Sequence, residues 1–337
     1  MVSHNCDVII LGAGPAGLSA AASLHAVGLR VVVIDYAKKN VQCEGPIESI
    51  HPGVLSQLEY LGLATNIETS FRGKYSFISD GIKTNSLNPY TDEIWNGHHI
   101  CKTNFNLLLR HNLMEKGVII KQSFTKPIIE HDNSGTISVF AEREQYKGSF
   151  LIKATGRKRG EQTKFNCILT KHSPDCLVAS GIQSKINIDY RAHDIAYFLP
   201  YKTHWIWLSL LSDGRQCWTA VFRKSDWKLN IAEELPIDLS TADRWANVAW
   251  EFASQPVLPG TLSCGDSFAL LDPASGKGIF HAIESGVMAA KAIEKIIRYP
   301  LEERDIKIAY ENWGRVRFSR ASRQLKESYD ELGINLR

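Results

Sequence analysis

Short continuous apolar runs punctuate the chain, and between them apolar positions recur with helical spacing. Residues 8–11 (Val-Ile-Ile-Leu) and 29–34 (Leu-Arg-Val-Val-Val-Ile) are runs of the kind buried in a parallel sheet. The Ala-rich stretch 15–27 between them predicts a helix that Gly28 ends. A second helix is predicted over 54–61, with Val54, Leu55, Leu58 and Leu61 on one face and Gly62 as its stop. A third is predicted over 104–116, with Phe105, Leu108, Leu109 and Leu113 on one face and Gly117 behind it. Residues 71–85 alternate around Gly73 and Asp80-Gly81, a hairpin signal. Residues 118–122 read as a strand, and 128–129, 137–141 and 146–150 as an antiparallel meander. Residues 151–157 read as a parallel strand running into a loop. Beyond 158 the pattern turns β-rich and aromatic. Strands are expected at 195–199, 204–211 and 217–222, with Ser212-Asp-Gly-Arg215 as a turn. The spacing of Trp245, Val248, Ala249 and Phe252 predicts a helix over 239–252. A strand at 261–264, a long helix over 279–297 and a polar helix over 302–332 complete the pattern.

The first strand–helix–strand unit carries a specific constellation. Gly12, Gly14 and Gly17 stand at dinucleotide spacing between a strand and a helix that opens at Pro15 and Ala16. Gly12 permits the tight turn, Gly14 lets backbone approach a pyrophosphate, and Gly17 lets helix pack on strand. The helix start offers free N–H groups to phosphate. Asp35 ends the second strand, where a carboxylate accepts ribose hydroxyls. A second anion-friendly helix start follows Gly265-Asp266, in the loop Asp272-Pro-Ala-Ser-Gly276-Lys-Gly278-Ile279.

Composition narrows the picture. The 337 residues are 44% hydrophobic and 22% charged, ordinary for a globular protein large enough for two domains. A formal charge of +3 without a Lys/Arg block argues against nucleic acid as a partner. Seven scattered cysteines form no CxxC pair, so neither a zinc site nor a disulfide framework is expected, and the odd count fits a reducing cytosol. The first strand begins by Asp7, so we expect no signal peptide, and no apolar run reaches the ~18 residues of a membrane span. A cytoplasmic location is expected. His98-His99 lacks a third ligand at metal spacing, so no metal is expected.

Together with Ala154-Thr-Gly156-Arg157, the two glycine-rich motifs resemble the FAD-binding domain of flavoprotein monooxygenases with the para-hydroxybenzoate hydroxylase fold. The resemblance implies an α/β fold. A Rossmann-like FAD-binding domain (1–72, 99–165 and 260–300) would carry an inserted, mostly antiparallel substrate domain (73–98 and 166–259), with a C-terminal helical tail (301–337). It implies that Asp266 contacts FAD and that Gly276, Lys277, Gly278 and Ile279 line the flavin ring. Ala154 and Gly156 belong to the same surroundings. Lys102 stands where many members have an arginine for the FAD phosphates, and would act there as a point charge; Asn106 stands where they have aspartate.

Finer features resemble one branch. Glu48-Ser-Ile-His-Pro-Gly is similar to the Gly-Glu-Ser-Leu-Pro-Pro element of flavin halogenases and of monooxygenases that mature tryptophylquinone cofactors. The stretch 204–226 is similar to the latter. Trp205-Ile-Trp207 continues as Leu-Ser-Leu-Leu, without the Ile-Pro of tryptophan halogenases. The branch implies an FAD-dependent monooxygenase that hydroxylates an indole or phenol, free or bound to a peptide or carrier protein, through a C4a-hydroperoxide of reduced flavin. A halogenase and a prenyl-reductase-type flavin reductase are the alternatives. One dinucleotide fingerprint is visible, so electrons would come from transient NAD(P)H or from a separate flavin reductase. His51 and Glu48, on the loop expected to face the flavin, are candidates for acid–base work or for holding that loop. Lys74 falls near the region of the halogenases' catalytic lysine, or is a solvated hairpin lysine. Trp205, Trp207, Trp218 and Trp227 are candidates for stacking on a substrate or for core packing.

Overall fold

A computed structural model describes residues 2–36, 46–81, 83–87, 95–157, 169–185, 188–225 and 235–336. The polar loop after Tyr36, Cys43, Cys167 and Trp227 lie outside the described residues. The fold is mixed α/β with a C-terminal helix. Its centre is a six-stranded sheet in the order Val257–Leu258, Thr261–Ser263, Phe150–Lys153, Val8–Leu11, Val31–Asp35, Ile119–Gln122. All its neighbours are parallel except the edge pair Val257–Leu258 and Thr261–Ser263. Val8, Ile9 and Ile10 have no exposed surface, which is why these strands read as continuous apolar runs.

Helices α1 (Pro15–Ala26), α2 (Gly53–Tyr60), α3 (Lys102–Glu115), α4 (Gly278–Arg298) and α5 (Glu303–Glu331) pack around this sheet. The expected meander is present as Ile128–His131, Ile137–Ala141 and Glu144–Gly148, antiparallel throughout. Val2–Asn5, unforeseen in the pattern, joins it in parallel.

The second large sheet has seven strands, in the order Ala242–Val248, Cys176–Gln183, Gln216–Arg223, His204–Leu210, Ile195–Pro200, Phe77–Ser79, Thr84–Ser86. It is antiparallel apart from the Ile195–Pro200 and Phe77–Ser79 pair. Period-2 alternation splits its aromatics. Trp205 and Trp207 share one face, while Ile206, Leu208 and Trp218 pack on the other.

Two expectations are corrected. Residues 239–252 are not a helix; they form a 3-10 turn (Leu239–Thr241) and the strands Ala242–Val248 and Glu251–Ala253. Asp238 caps the turn by accepting from the Ser240 N–H, and pairing with Cys176–Gln183 then satisfies the backbone. Gly181 makes that pairing possible, because a Cβ there would meet the Thr241 carbonyl oxygen at 2.4 Å. The hairpin expected over 71–85 is real only around Asp80-Gly81. Phe71–Tyr75 belongs instead to a three-stranded sheet with Gly97–Cys101 and Ile47–Ile50.

The C-terminal helix is polar in composition, yet one face of it belongs to the core. Tyr310, Gly314, Phe318, Leu325 and Tyr329 are buried, and the Tyr310 hydroxyl donates to the Ser263 carbonyl at the end of a central strand. None of the helices among the described residues is long and apolar enough to cross a membrane.

Candidate functional site

One cavity of about 460 Å³ runs from the turn after Val8–Leu11 to the Trp205–Trp207 face of the seven-stranded sheet. Gly12, Gly14, Pro15, Ala16, Asp35, Glu48, Lys102, Ala154, Gly156, Asp266, Gly276, Gly278 and Ile279, all singled out from sequence, line it. Gly17 lies beneath, inside α1. The wall therefore combines the C-terminal ends of parallel strands with the first turns of α1, α3 and α4, the usual place for a ligand in an open α/β sheet.

The dinucleotide turn is built for close approach. Gly12 has φ +105°, and a Cβ there would sit 2.3 Å from the Ala154 carbonyl oxygen. Gly14 differs: a Cβ would meet nothing within 4 Å, so its open side faces the cavity.

Charge along the wall is arranged in pairs. The Arg110 guanidinium donates to Asp35 at 2.7 Å, and the Arg157 Nε to Asp266 at 3.1 Å. Glu48 Oε1 accepts from Lys102 Nζ at 2.5 Å and from Arg244 Nη1 at 3.2 Å. Burial alone would raise the Glu48 carboxyl; Lys102, Arg244 and Arg157 outweigh it and hold it below the usual carboxylate range. Lys102, Asn106 and Arg110 recur every fourth residue on α3 and so share a face. Arg157 Nη1 and Asn106 Oδ1 are buried without a hydrogen-bond partner among the described residues, and both residues line the cavity. Together with the open side of Gly14, these atoms fit a dinucleotide, the Arg157 donor suiting its phosphates and the Asn106 acceptor its sugar hydroxyls.

His51 and Lys74 lie outside the cavity lining. His51 accepts from the Gly53 N–H at 3.1 Å, between the rings of Trp95 and Phe280. Burial, with Lys277 and His281 nearby, pushes its imidazole down to about 4. Lys74 is exposed on the strand Phe71–Tyr75. Trp205 and Trp207 line the cavity, whereas Trp218 packs behind it and donates to Thr241.

Several residues on the wall, or just behind it like Arg110 with its bond to Asp35, carry no role that the sequence assigns. Arg110 was visible as the next step of the Lys102–Asn106 spacing. Arg157 stood inside a quoted motif. Arg244 lies in the segment read as a helix, so its placement was hidden. Arg317, contributed by α5, hydrogen-bonds His281 at 2.8 Å and pairs with Glu284. No local signal tied it to this wall.

Comparison with known proteins decides the class. Residues 5–145 match the FAD binding domain family. The chain is a flavoprotein of the FAD-dependent oxidoreductase class. It is 23% identical to a 1H-pyrrole-2-carbonyl-[peptidyl-carrier protein] brominase of Pseudoalteromonas luteoviolacea, over 86% of this chain and 78% of that protein. A peptidyl tryptophan dihydroxylase essential for tryptophylquinone cofactor biogenesis shares the fold, with a TM-score of 0.73 and 19% identity. That match covers 95% of this chain and 75% of the dihydroxylase. The myxobacterial chondrochloren halogenase shares it too, at TM-score 0.80 and 17% identity, over 97% of this chain and 83% of the halogenase. The flavoprotein therefore has a monooxygenase/halogenase-type fold, in line with the expected branch.

Proposed function

We propose that this flavoprotein hydroxylates an electron-rich aromatic substrate, carried on a peptide or carrier protein, as an FAD-dependent monooxygenase. The observation that carries the reading is that one continuous cavity joins the dinucleotide turn to the Trp205–Trp207 face. In this reading residues 12–17 hold the diphosphate, Asp35 a ribose, and Asp266 with Arg157 the ribityl–diphosphate side. The backbone of Gly276, Gly278 and Ile279, at and just before the start of α4, would line the flavin ring. When bound, the flavin supplies oxygen activation once reduced. The chain orients the substrate over Trp205 and Trp207, keeps the Glu48–Lys102–Arg244 charges paired, and limits water. NAD(P)H or a separate reductase supplies the electrons. The free thiols among the described cysteines support a cytoplasmic location.

Halogenation is the second reading, favoured by the similarity to the brominase. The exposed position of Lys74 and the missing Ile-Pro after Trp207 weigh for oxygenation. The deciding experiment supplies FAD-loaded protein with NADH, a flavin reductase, labelled O₂ and bromide, over a panel of free and carrier-tethered phenols, indoles and pyrroles. Labelled oxygen in the product is the expected result. Bromide in the product, with no labelled oxygen, overturns the reading.

A further inference from the structure

Ser49, in the cavity wall, accepts a hydrogen bond from the Trp207 indole N–H at 3.1 Å. Its hydroxyl oxygen also lies 2.9 Å from His99 Nδ1. These are the partners of the Ser49 hydroxyl among the described residues. His99 is fully buried, stacks on Tyr75 with ring centroids 5.0 Å apart, and has no hydrogen-bond partner at Nε2 among the described residues.

The direction of the Ser49–His99 bond depends on the imidazole tautomer. If the proton sits on Nε2, a buried N–H is left with no acceptor, an arrangement that folded proteins rarely keep. If it sits on Nδ1, that N–H donates to Ser49, and only a lone pair at Nε2 goes unmatched. A serine oxygen has two lone pairs and one proton. With Trp207 and His99 both donating to it, both lone pairs are used and the proton has no acceptor among the described residues. The remaining direction open to it is the cavity.

We propose that the Ser49 hydroxyl, with both lone pairs occupied by Trp207 and His99, is a dedicated hydrogen-bond donor that holds an oxygen acceptor on the aromatic substrate. It rests on the oxygenase reading above and narrows its substrate class to a phenol or an aryl carbonyl. An indole, whose ring N–H can only donate, gains nothing from this group. Arg244, whose guanidinium also reaches the cavity wall, adds a second donor of the same sense.

Two measurements on the FAD-loaded protein test this. Histidine ¹⁵N NMR reads the His99 tautomer: Nδ1–H is expected, and Nε2–H overturns the proposal because Ser49 must then donate to His99. Fluorine NMR titrations compare 4-fluorophenol with 4-fluorotoluene. Ser49→Ala is expected to weaken 4-fluorophenol about tenfold, the scale of one hydrogen bond, and to leave 4-fluorotoluene unchanged. Ser49→Cys, which keeps a weak donor in a slightly larger side chain, is expected to lose less. Equal losses for both probes, or none for either, overturn the proposal. Products carrying bromide instead of labelled oxygen would end the oxygenase reading while leaving the tautomer and the phenol preference intact, so the two failures are distinguishable.

Discussion

The Tyr329 hydroxyl, near the end of α5, donates to Oδ2 of Asp272 across 2.9 Å. The same oxygen of Asp272 accepts from the Trp250 indole at 2.8 Å, and its other oxygen accepts from the Ala274 N–H. Tyr329 in turn accepts from the Trp205 indole at 2.8 Å. One chain of hydrogen bonds thus ties the cavity floor to the last helix and to the loop that opens α4. Burial raises the Tyr329 phenol well above its ordinary value, so its proton stays in place. Tyr329→Phe leaves the Trp205 N–H without its acceptor and removes one donor from Asp272. We expect a loss of about 1–3 kcal/mol in urea unfolding. A change of only a few tenths would mean that the chain of bonds is not holding the loop.

Glycines of the dinucleotide turn separate fold from binding. Gly14→Val adds a side chain into open cavity space, so the variant is expected to fold normally and to lose FAD. Gly12→Val forces a β-branched residue to φ +105° and into the Ala154 carbonyl, so it is expected to fail at folding. Circular dichroism with FAD titration checks both. A Gly14→Val protein with unchanged FAD affinity would remove the turn from the binding site.

Much of this arrangement was legible because it is local. The apolar runs of the central sheet, the glycine spacing and the helix stops state their own structure within a few residues. The misread segment 239–252 is instructive. Trp245, Val248, Ala249 and Phe252 fit a helical face, but pairing with Cys176–Gln183, through the gap left by Gly181, overrides that spacing. The roles of Arg244 and Ser49 depend on the same long-range packing. Ser49 meets Trp207 from a strand far along the chain, and nothing near either residue announces the contact. The burial of α5 was hidden because aromatic residues spread through a charged helix read as incidental until Phe268 and Tyr310 are seen to stack at 5.2 Å.

Histidine burial predicts an acid-sensitive fold. Burial, with His98 alongside, pushes His99 down to about 3, and burial likewise lowers His98 and His51. These groups are neutral in the folded chain, whereas an unfolded chain protonates them near pH 6.5. The unfolded state therefore binds more protons below that pH, and stability present above it falls as pH drops. Fully buried His99 alone should account for roughly 2–3 kcal/mol between pH 6.5 and 4.5. Urea midpoints measured across this range should fall, and His99→Phe, which keeps a ring against Tyr75, should show a shallower fall. Parallel pH profiles for the two proteins would contradict a neutral His99.

Lysine variants separate the two proposed chemistries, oxygenation and halogenation. Lys74 is exposed and lies outside the cavity lining, so Lys74→Ala is expected to keep its turnover within about twofold, well under the ~1.4 kcal/mol of a tenfold change. Lys102 is different, because its ammonium neutralises Glu48 inside the cavity. Lys102→Met leaves that carboxylate with Arg244 as its hydrogen-bonded cation and Arg157 acting from further away. The pair is partly exposed, with side chains 30% and 27% accessible, so solvent screening limits the loss of stability to about 1–2 kcal/mol. The less fully compensated charge should also weaken FAD binding, since one cation fewer then offsets Glu48 beside the diphosphate. Product analysis and FAD titration of both variants provide the check. A Lys74→Ala protein that binds FAD normally but has lost its activity would return this lysine to the chemistry and favour halogenation.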